Sequence, residues 1–95
     1  MASLFRGFFA RLFGNAAAPA EEDPVEYEGY RIRPTPFPRL GQYQTAGVIE
    51  KEVGGEVKEH RFVRAETHSS REEAVAYSIV KAKQIIDEQG DRIFG

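Results

Sequence analysis

Two long runs of strand-forming residues, separated by a pair of glycines, constrain the fold of this chain most strongly. Residues 42–53 and 57–66 are rich in Val, Ile, Thr, Tyr and Phe, and Gly54-Gly55 lies between them. Adjacent glycines reach the positive φ angles that tight hairpin turns require. The pattern therefore predicts an antiparallel hairpin at the centre of the fold.

A third strand and one helix complete the predicted core, residues 25–95. The strand lies before the hairpin, where Tyr30 and Ile32 alternate with arginines until Pro34. The helix follows a capping box that begins at Ser70 and ends at Glu73. We predict an α+β fold of order β-β-β-α: a three-stranded antiparallel sheet with one C-terminal helix packed on one face. The helix face toward the sheet consists of Ala74, Val75, Ser78, Ile79, Ala82, Ile85 and Ile86.

The charges on the two hairpin strands favour one register. A two-residue loop opposes Lys51 to Lys58 and Glu50 to Glu59, which places like charges together. A three-residue loop, Gly54-Gly55-Glu56, instead opposes Glu52 to Lys58 and Lys51 to Glu59. Directly opposed unlike charges contribute roughly 0.2–1 kcal/mol each. The charges thus predict the longer loop.

That register divides the hairpin residues between two faces. It predicts a core face of Tyr43, Thr45, Ile49, Val53, Val57, Val63 and Ala65. The opposite face is mostly polar, carries His60 opposite Glu50, and has an apolar island where Val48 pairs with Phe62. Another element is expected to cover this island.

Before the core, residues 1–13 predict a short amphipathic helix, and residues 14–24 a flexible, acidic linker. The apolar positions of the helix follow a strict i, i+1, i+4, i+5 spacing that forms one stripe. They are Leu4, Phe5, Phe8, Phe9, Leu12 and Phe13. Such a stripe can lie on a membrane surface, dock in a partner's groove, or fold back on the sheet.

No combination of residues predicts an enzyme, a metal site or a cofactor. The chain has no Cys and only two His, so it has no thiolate ligands and few imidazoles. It has no glycine-rich phosphate loop and no nucleophile elbow. Ser69 and Ser70 beside His68 are most simply helix-capping residues next to a loop. We therefore expect a non-enzymatic protein with no inferred small-molecule substrate.

Arginines among aromatic residues on the sheet give one candidate binding surface. Residues 31–64 carry a net charge of +3, whereas the whole chain carries −2. Basic and aromatic side chains on a sheet can bind nucleic acid by phosphate contact and stacking. The candidate contact residues for nucleic acid or a protein partner are Arg31, Arg33, Arg61, Arg64, Phe62 and Val48. The alternative is ordinary strand arginines neutralised by neighbouring glutamates.

Three stretches of the core resemble the HlyU family of small bacterial proteins. They are EYEGYRIRPTP (26–36), GQYQTAGVIEKEVGGEVKEHRFVRAETHSSREEA (41–74) and KAKQIIDEQGDRIF (81–94). The resemblance implies a transcriptional activator from Gram-negative bacteria. It does not extend to the winged-helix activator of the same name, since this sequence has one strong core helix and no helix-turn-helix. It supplies no binding or catalytic residues.

Two functional hypotheses follow. In the first, a cytoplasmic regulator binds DNA or a transcription-related protein through the arginine-bearing sheet. In the second, an adaptor is anchored to a membrane surface or a partner's groove by its Phe-rich N-terminal helix. Salt-sensitive DNA binding is expected only of the first.

Overall fold

The computed structural model describes residues 23–95, which form one antiparallel sheet, one long helix and a C-terminal 3-10 helix. The elements are β1 (Val25–Tyr27), β2 (Tyr30–Pro34), β3 (Phe37–Arg39), β4 (Gln42–Val53), β5 (Glu56–His68), α1 (Arg71–Gln89) and the 3-10 helix (Gly90–Phe94). The α+β class and the single helix on one face agree with the prediction, but the sheet has five strands, so the three-stranded prediction is wrong. The predicted N-terminal helix lies outside the described residues, as does nearly all of the predicted linker.

The two strands that the sequence did not predict, β1 and β3, come immediately before and after β2 in the chain. β1 forms a hairpin with β2, and Glu28 and Gly29 in its turn both have positive φ, 54° and 85°. Strand pairing does not end at the prolines that follow Ile32, because residues 37–39 pair with β4 as β3. Pro38 is tolerated there because β3 is an edge strand, where one side of the backbone needs no hydrogen-bond donor.

β4 organises the sheet because it is long enough to pair with three strands. One of its edges pairs with β5, and its other edge is shared end to end by β2 and β3. Between those two short strands, the Thr35 N–H donates to the Ala46 carbonyl oxygen at 2.9 Å. This bond keeps the proline-containing segment aligned on β4.

The β4–β5 hairpin has a two-residue loop, so the predicted register is wrong. Gly54 and Gly55 have φ angles of 60° and 85°, and Val53 pairs with Glu56. Two consecutive positive φ angles are the signature of the type I′ turn, whose twist matches that of the flanking strands. The backbone preference of the turn outweighs the cross-strand charges.

Like charges consequently face each other, with Lys51 opposite Lys58 and Glu50 opposite Glu59. Some of these side chains also have a partner of opposite charge elsewhere. Lys51 Nζ lies 2.9 Å from an Asp91 carboxylate oxygen, and Glu50 Oε1 lies 3.4 Å from Arg33 Nη2. These lateral ion pairs offset the repulsion across the hairpin.

α1 begins and ends close to the predicted positions. The Ser70 side chain accepts a hydrogen bond from the Glu73 backbone N–H at 3.1 Å, as the capping box predicts. The helix stops at Gly90, which has a φ of 57°. The residues that α1 buries are Ala74, Ser78, Ala82, Ile85 and Ile86, all of them on the predicted face.

The core lies between α1 and one face of the sheet. Tyr30, Ile32, Ile49 and Phe62 of the sheet pack with Ala82, Ile85 and Ile86 of the helix. The predicted faces of β5 are therefore reversed: Phe62 is in the core, whereas Val57 and Val63 are exposed. Because side chains alternate along a strand, the one-residue change in register moves every β5 side chain to the other face.

Candidate nucleic-acid interface

The sheet surface away from α1, called the outer face here, carries most of the predicted arginines. Residues paired directly across strands share a face, so the register assigns them. Two neighbouring rows of paired residues cross this face. The first row runs from β1 through β2 and β4 to β5 and consists of Glu26, Arg31, Glu50 and Glu59. The second row runs from β2 through β4 to β5 and consists of Arg33, Val48 and Arg61. Arg31, Arg33 and Arg61 therefore lie on one surface, as the hypothesis requires. Arg64 is exposed further along β5, where the ladder is irregular.

Each of these three arginines has a carboxylate beside it. The distances are 3.4 Å from Arg31 Nε to Glu26, 3.4 Å from Arg33 Nη2 to Glu50, and 3.9 Å from Arg61 Nη2 to Glu59. The exposed fraction of the Arg61 side chain is 76%, against 27% for Arg31 and 28% for Arg33. Arg61 is thus the most accessible cation of the three.

The two apolar candidates do not contribute a binding surface. Phe62 lies on the α1 side of the sheet, and a Cβ at Gly47 would come within 2.7 Å of its ring. Val48 is on the outer face but only 5% exposed. The predicted Val48–Phe62 island is wrong, since Val48 pairs with Arg61 and Phe62 with Gly47. Bases cannot stack on Phe62, because its ring is buried in the core.

A polar cluster that the sequence did not predict joins the sheet to the 3-10 helix. The Tyr30 hydroxyl donates a hydrogen bond to the Asp91 carboxylate, and the Lys51 ammonium lies 4.6 Å from the centre of the Tyr30 ring. The bond between Tyr30 and Asp91 raises the pKa of the phenol and lowers the pKa of the carboxyl group. The hydrogen bond to Asp91 also raises the pKa of Lys51.

A similar contact holds β1 against α1. The Tyr27 hydroxyl donates to the Asp87 carboxylate at 2.8 Å, and this hydrogen bond raises the pKa of the phenol. Lys83 lies over the same ring at 5.2 Å. These groups line a shallow open groove, in which Tyr27 pairs with Asp87 and Gln84 Nε2 donates to Glu88. We assign a structural role to both tyrosine–aspartate clusters, since they join the sheet to the C-terminal helices. No local sequence pattern predicts them, because about 60 residues separate the partners.

The contacts of the two histidines, His60 and His68, are with neighbouring residues of the fold. Thr45 Oγ1 donates to the Glu66 carbonyl oxygen at 3.0 Å and lies 3.1 Å from His68 Nε2, so it accepts from that nitrogen. The Tyr77 ring lies against His68, with 4.9 Å between the ring centres. His60 pairs with Ile49, not with Glu50 as the predicted register required. Within residues 23–95, no group of three or more His, Cys, Asp or Glu side chains is placed to hold a metal ion.

The N-terminal contact residues, Leu4, Phe5, Phe8, Phe9, Leu12 and Phe13, lie outside the described residues. Their predicted helix remains a prediction. In the part of the chain that the structure describes, α1 is not apolar enough to cross a membrane.

Comparison with known proteins gives a family but no individual relative. A family model described as "Transcriptional activator HlyU" matches residues 7–94, nearly the whole chain. No curated protein matches significantly, and neither does any solved structure.

Proposed function

We propose that this chain, which belongs to the HlyU family, regulates transcription by contacting the DNA backbone with the arginines of its outer face. The family match supports the regulatory role. The observation that supports the contact surface is the placement of Arg31, Arg33 and Arg61 on one face, with Arg61 extended into solvent. The same charge pattern also suits an acidic surface on a transcription-related protein, and DNA is the partner we test first.

The second row of the outer face is the stronger part of this surface. Arg33 and Arg61 lie on either side of Val48, so they are two strand spacings apart, or about 10 Å. This separation is comparable with the widths of the DNA grooves, roughly 6 and 12 Å. Two arginines at this spacing can contact phosphates on opposite sides of a groove.

Binding through these side chains requires an exchange of partners. Each guanidinium must leave a protein carboxylate for a phosphate, which offers more acceptor oxygens. The released glutamates stay close to the DNA and repel it. We therefore expect modest affinity that depends strongly on salt, and positioning on phosphates without readout of base sequence.

The test is a titration of the full chain into labelled duplex DNA, measured by fluorescence anisotropy at low and physiological salt. Arg61→Gln is expected to weaken binding and to reduce the slope of log K against log salt by about 1. Lys81→Gln on α1, which covers the opposite side of the sheet, makes the same change in net charge and is the matched control. Absence of binding at low salt, where screening is weakest, would exclude direct DNA contact.

The second function that we propose to test rests on the apolar stripe of residues 3–13. Four phenylalanines and two leucines on one side of a short helix would hold an adaptor on a membrane surface or in a partner's groove. This role uses a different part of the chain and predicts binding that Arg61 does not influence.

A further inference from the structure

Among residues 23–95, one edge of β5 has no partner strand. Within the described part of the chain it pairs only with β4, along its other edge. In a hairpin closed by a two-residue loop, the residues that flank the loop form a hydrogen-bonded pair, and such pairs then alternate along the ladder. The backbone groups that point to the open edge therefore belong to Val57, Glu59, Arg61 and Val63. The side chains of all four residues are exposed.

An open edge of this length is a template for another strand. Its charges discourage pairing with an arbitrary apolar strand, because they would be buried without counter-charges. A partner strand must therefore carry a complementary pattern of charges. The edge of β5 itself has that pattern.

The sequence of β5 is self-complementary about His60. When two copies of the strand are aligned antiparallel with His60 opposite its counterpart, Glu59 faces Arg61 and Glu56 faces Arg64. Val57 then faces Val63. Each charged residue of the outward-facing set meets the opposite charge, and the two exposed valines cover each other.

Other alignments lose this match. A shift of the centre by one residue in either direction opposes Glu59 to Glu59 or Arg61 to Arg61, and directly opposed like charges are destabilising. A centre that falls between two residues opposes a residue whose backbone groups face outward to one whose groups face β4, so the ladder cannot form. The alignment on His60 is the one that satisfies both the backbone and the charges.

We propose that the chain forms a two-fold symmetric dimer in which β5 pairs with β5 of a second copy, centred on His60. Val57, Glu59, Arg61 and Val63 each exchange backbone hydrogen bonds with their counterparts. The two sheets become one continuous antiparallel sheet, and the two outer faces join across the symmetry axis. This proposal does not depend on DNA binding.

The first test is sedimentation velocity of the full chain over a range from about 1 to 500 μM. Arg61→Glu places two carboxylates opposite each other at both symmetric positions, so the dimer dissociation constant is expected to rise about tenfold or more. The double variant E59R/R61E restores unlike pairs and is expected to restore dimerisation. Arg39→Glu makes the same change in net charge on β3 and should leave the dimer unaffected.

The second test is amide hydrogen exchange, which locates the interface. The amides of Val57, Glu59, Arg61 and Val63 should become protected as the protein concentration rises. Those of Lys58 and His60 face β4 and should be protected at every concentration. A monomer throughout the concentration range would overturn the proposal. A dimer that R61E does not weaken, or whose outward amides exchange freely, would overturn it too, and would assign self-association to another surface.

Discussion

At the scale of single residues, Gly47 and Phe62 show how closely the sheet and its core are matched. Phe62 lies across β4 over Gly47, where a Cβ would be 2.7 Å from the ring and 3.2 Å from the Arg33 carbonyl oxygen. We expect Gly47→Ala to lower the free energy of unfolding by about 1–3 kcal/mol, measured by urea denaturation, because the ring cannot move away without disturbing the core.

A double-mutant cycle with Phe62→Leu tests that explanation. The smaller side chain makes room for the added methyl group, so the loss in G47A/F62L should be less than the sum of the two single losses. Additive losses would show that the backbone contact, and not the ring, limits the space at Gly47.

Asp91 gives the fold a dependence on pH that can be derived from its two partners. Its pKa is lowered from the ordinary value of 3.8, so its contribution to stability is present above that pH and is lost as the pH falls through the folded pKa. The pKa of Tyr30 is raised from 10.0, so the phenol's contribution is present below that pH and is lost as the pH rises through the folded pKa.

Asp91→Asn removes the charge while keeping an oxygen that can accept from Tyr30. The difference in Tm between the parent chain and D91N is therefore expected to be largest between about pH 4 and 10 and to shrink toward both extremes. Thermal unfolding followed by circular dichroism measures it. Glu88→Gln in the last turns of α1 is the control, and a constant difference across all pH values would rule out the Asp91 linkage.

At the scale of elements, the sequence predicts the types of structure well and the register poorly. The β4–β5 hairpin, β2 and α1 all follow from periodicity and turn or cap residues, which act within a few positions of each other. β1 and β3 are three residues each, too short to show a period. The predicted loop length is wrong because the charges opposed across the hairpin are not the only charges near these side chains.

The register of the hairpin also decides which side chains share the outer face. Lys51 and Glu50 have partners on the 3-10 helix and on β2, which a hairpin considered alone does not contain. Once the turn is set to two residues, β5 reverses its faces. Arg61 then joins Arg31 and Arg33 on the outer face, while Phe62 enters the core. The sequence predicts that arginines are exposed on the sheet. It does not predict which of them share a face, because a one-residue change in the β4–β5 register moves each β5 side chain to the other face.

At the scale of the whole molecule, the described fold has one covered and one open side. The core cluster draws on β2, β4, β5 and α1 and lies on the α1 side of the sheet. Among residues 23–95, the members of that buried cluster fall between Tyr30 and Ile86. The apolar stripe of residues 1–13 and the arginines of the outer face belong to different segments of the sequence, so variants can test them separately.

Deletion of residues 1–14 is the variant that separates them. We expect the shortened chain to keep its thermal transition and its salt-dependent binding to DNA, because the arginines of the outer face remain. It should lose binding to vesicles that contain anionic lipid, measured by co-sedimentation, because the apolar stripe that enters the interface is gone. Phe8→Ser, on the stripe, should weaken vesicle binding, whereas Ala10→Ser, off the stripe, should not.

Vesicle binding that survives the deletion, or that the full chain never shows, would contradict a membrane role for the helix. DNA binding that disappears with the deletion would instead place residues 1–14 in the nucleic-acid interface.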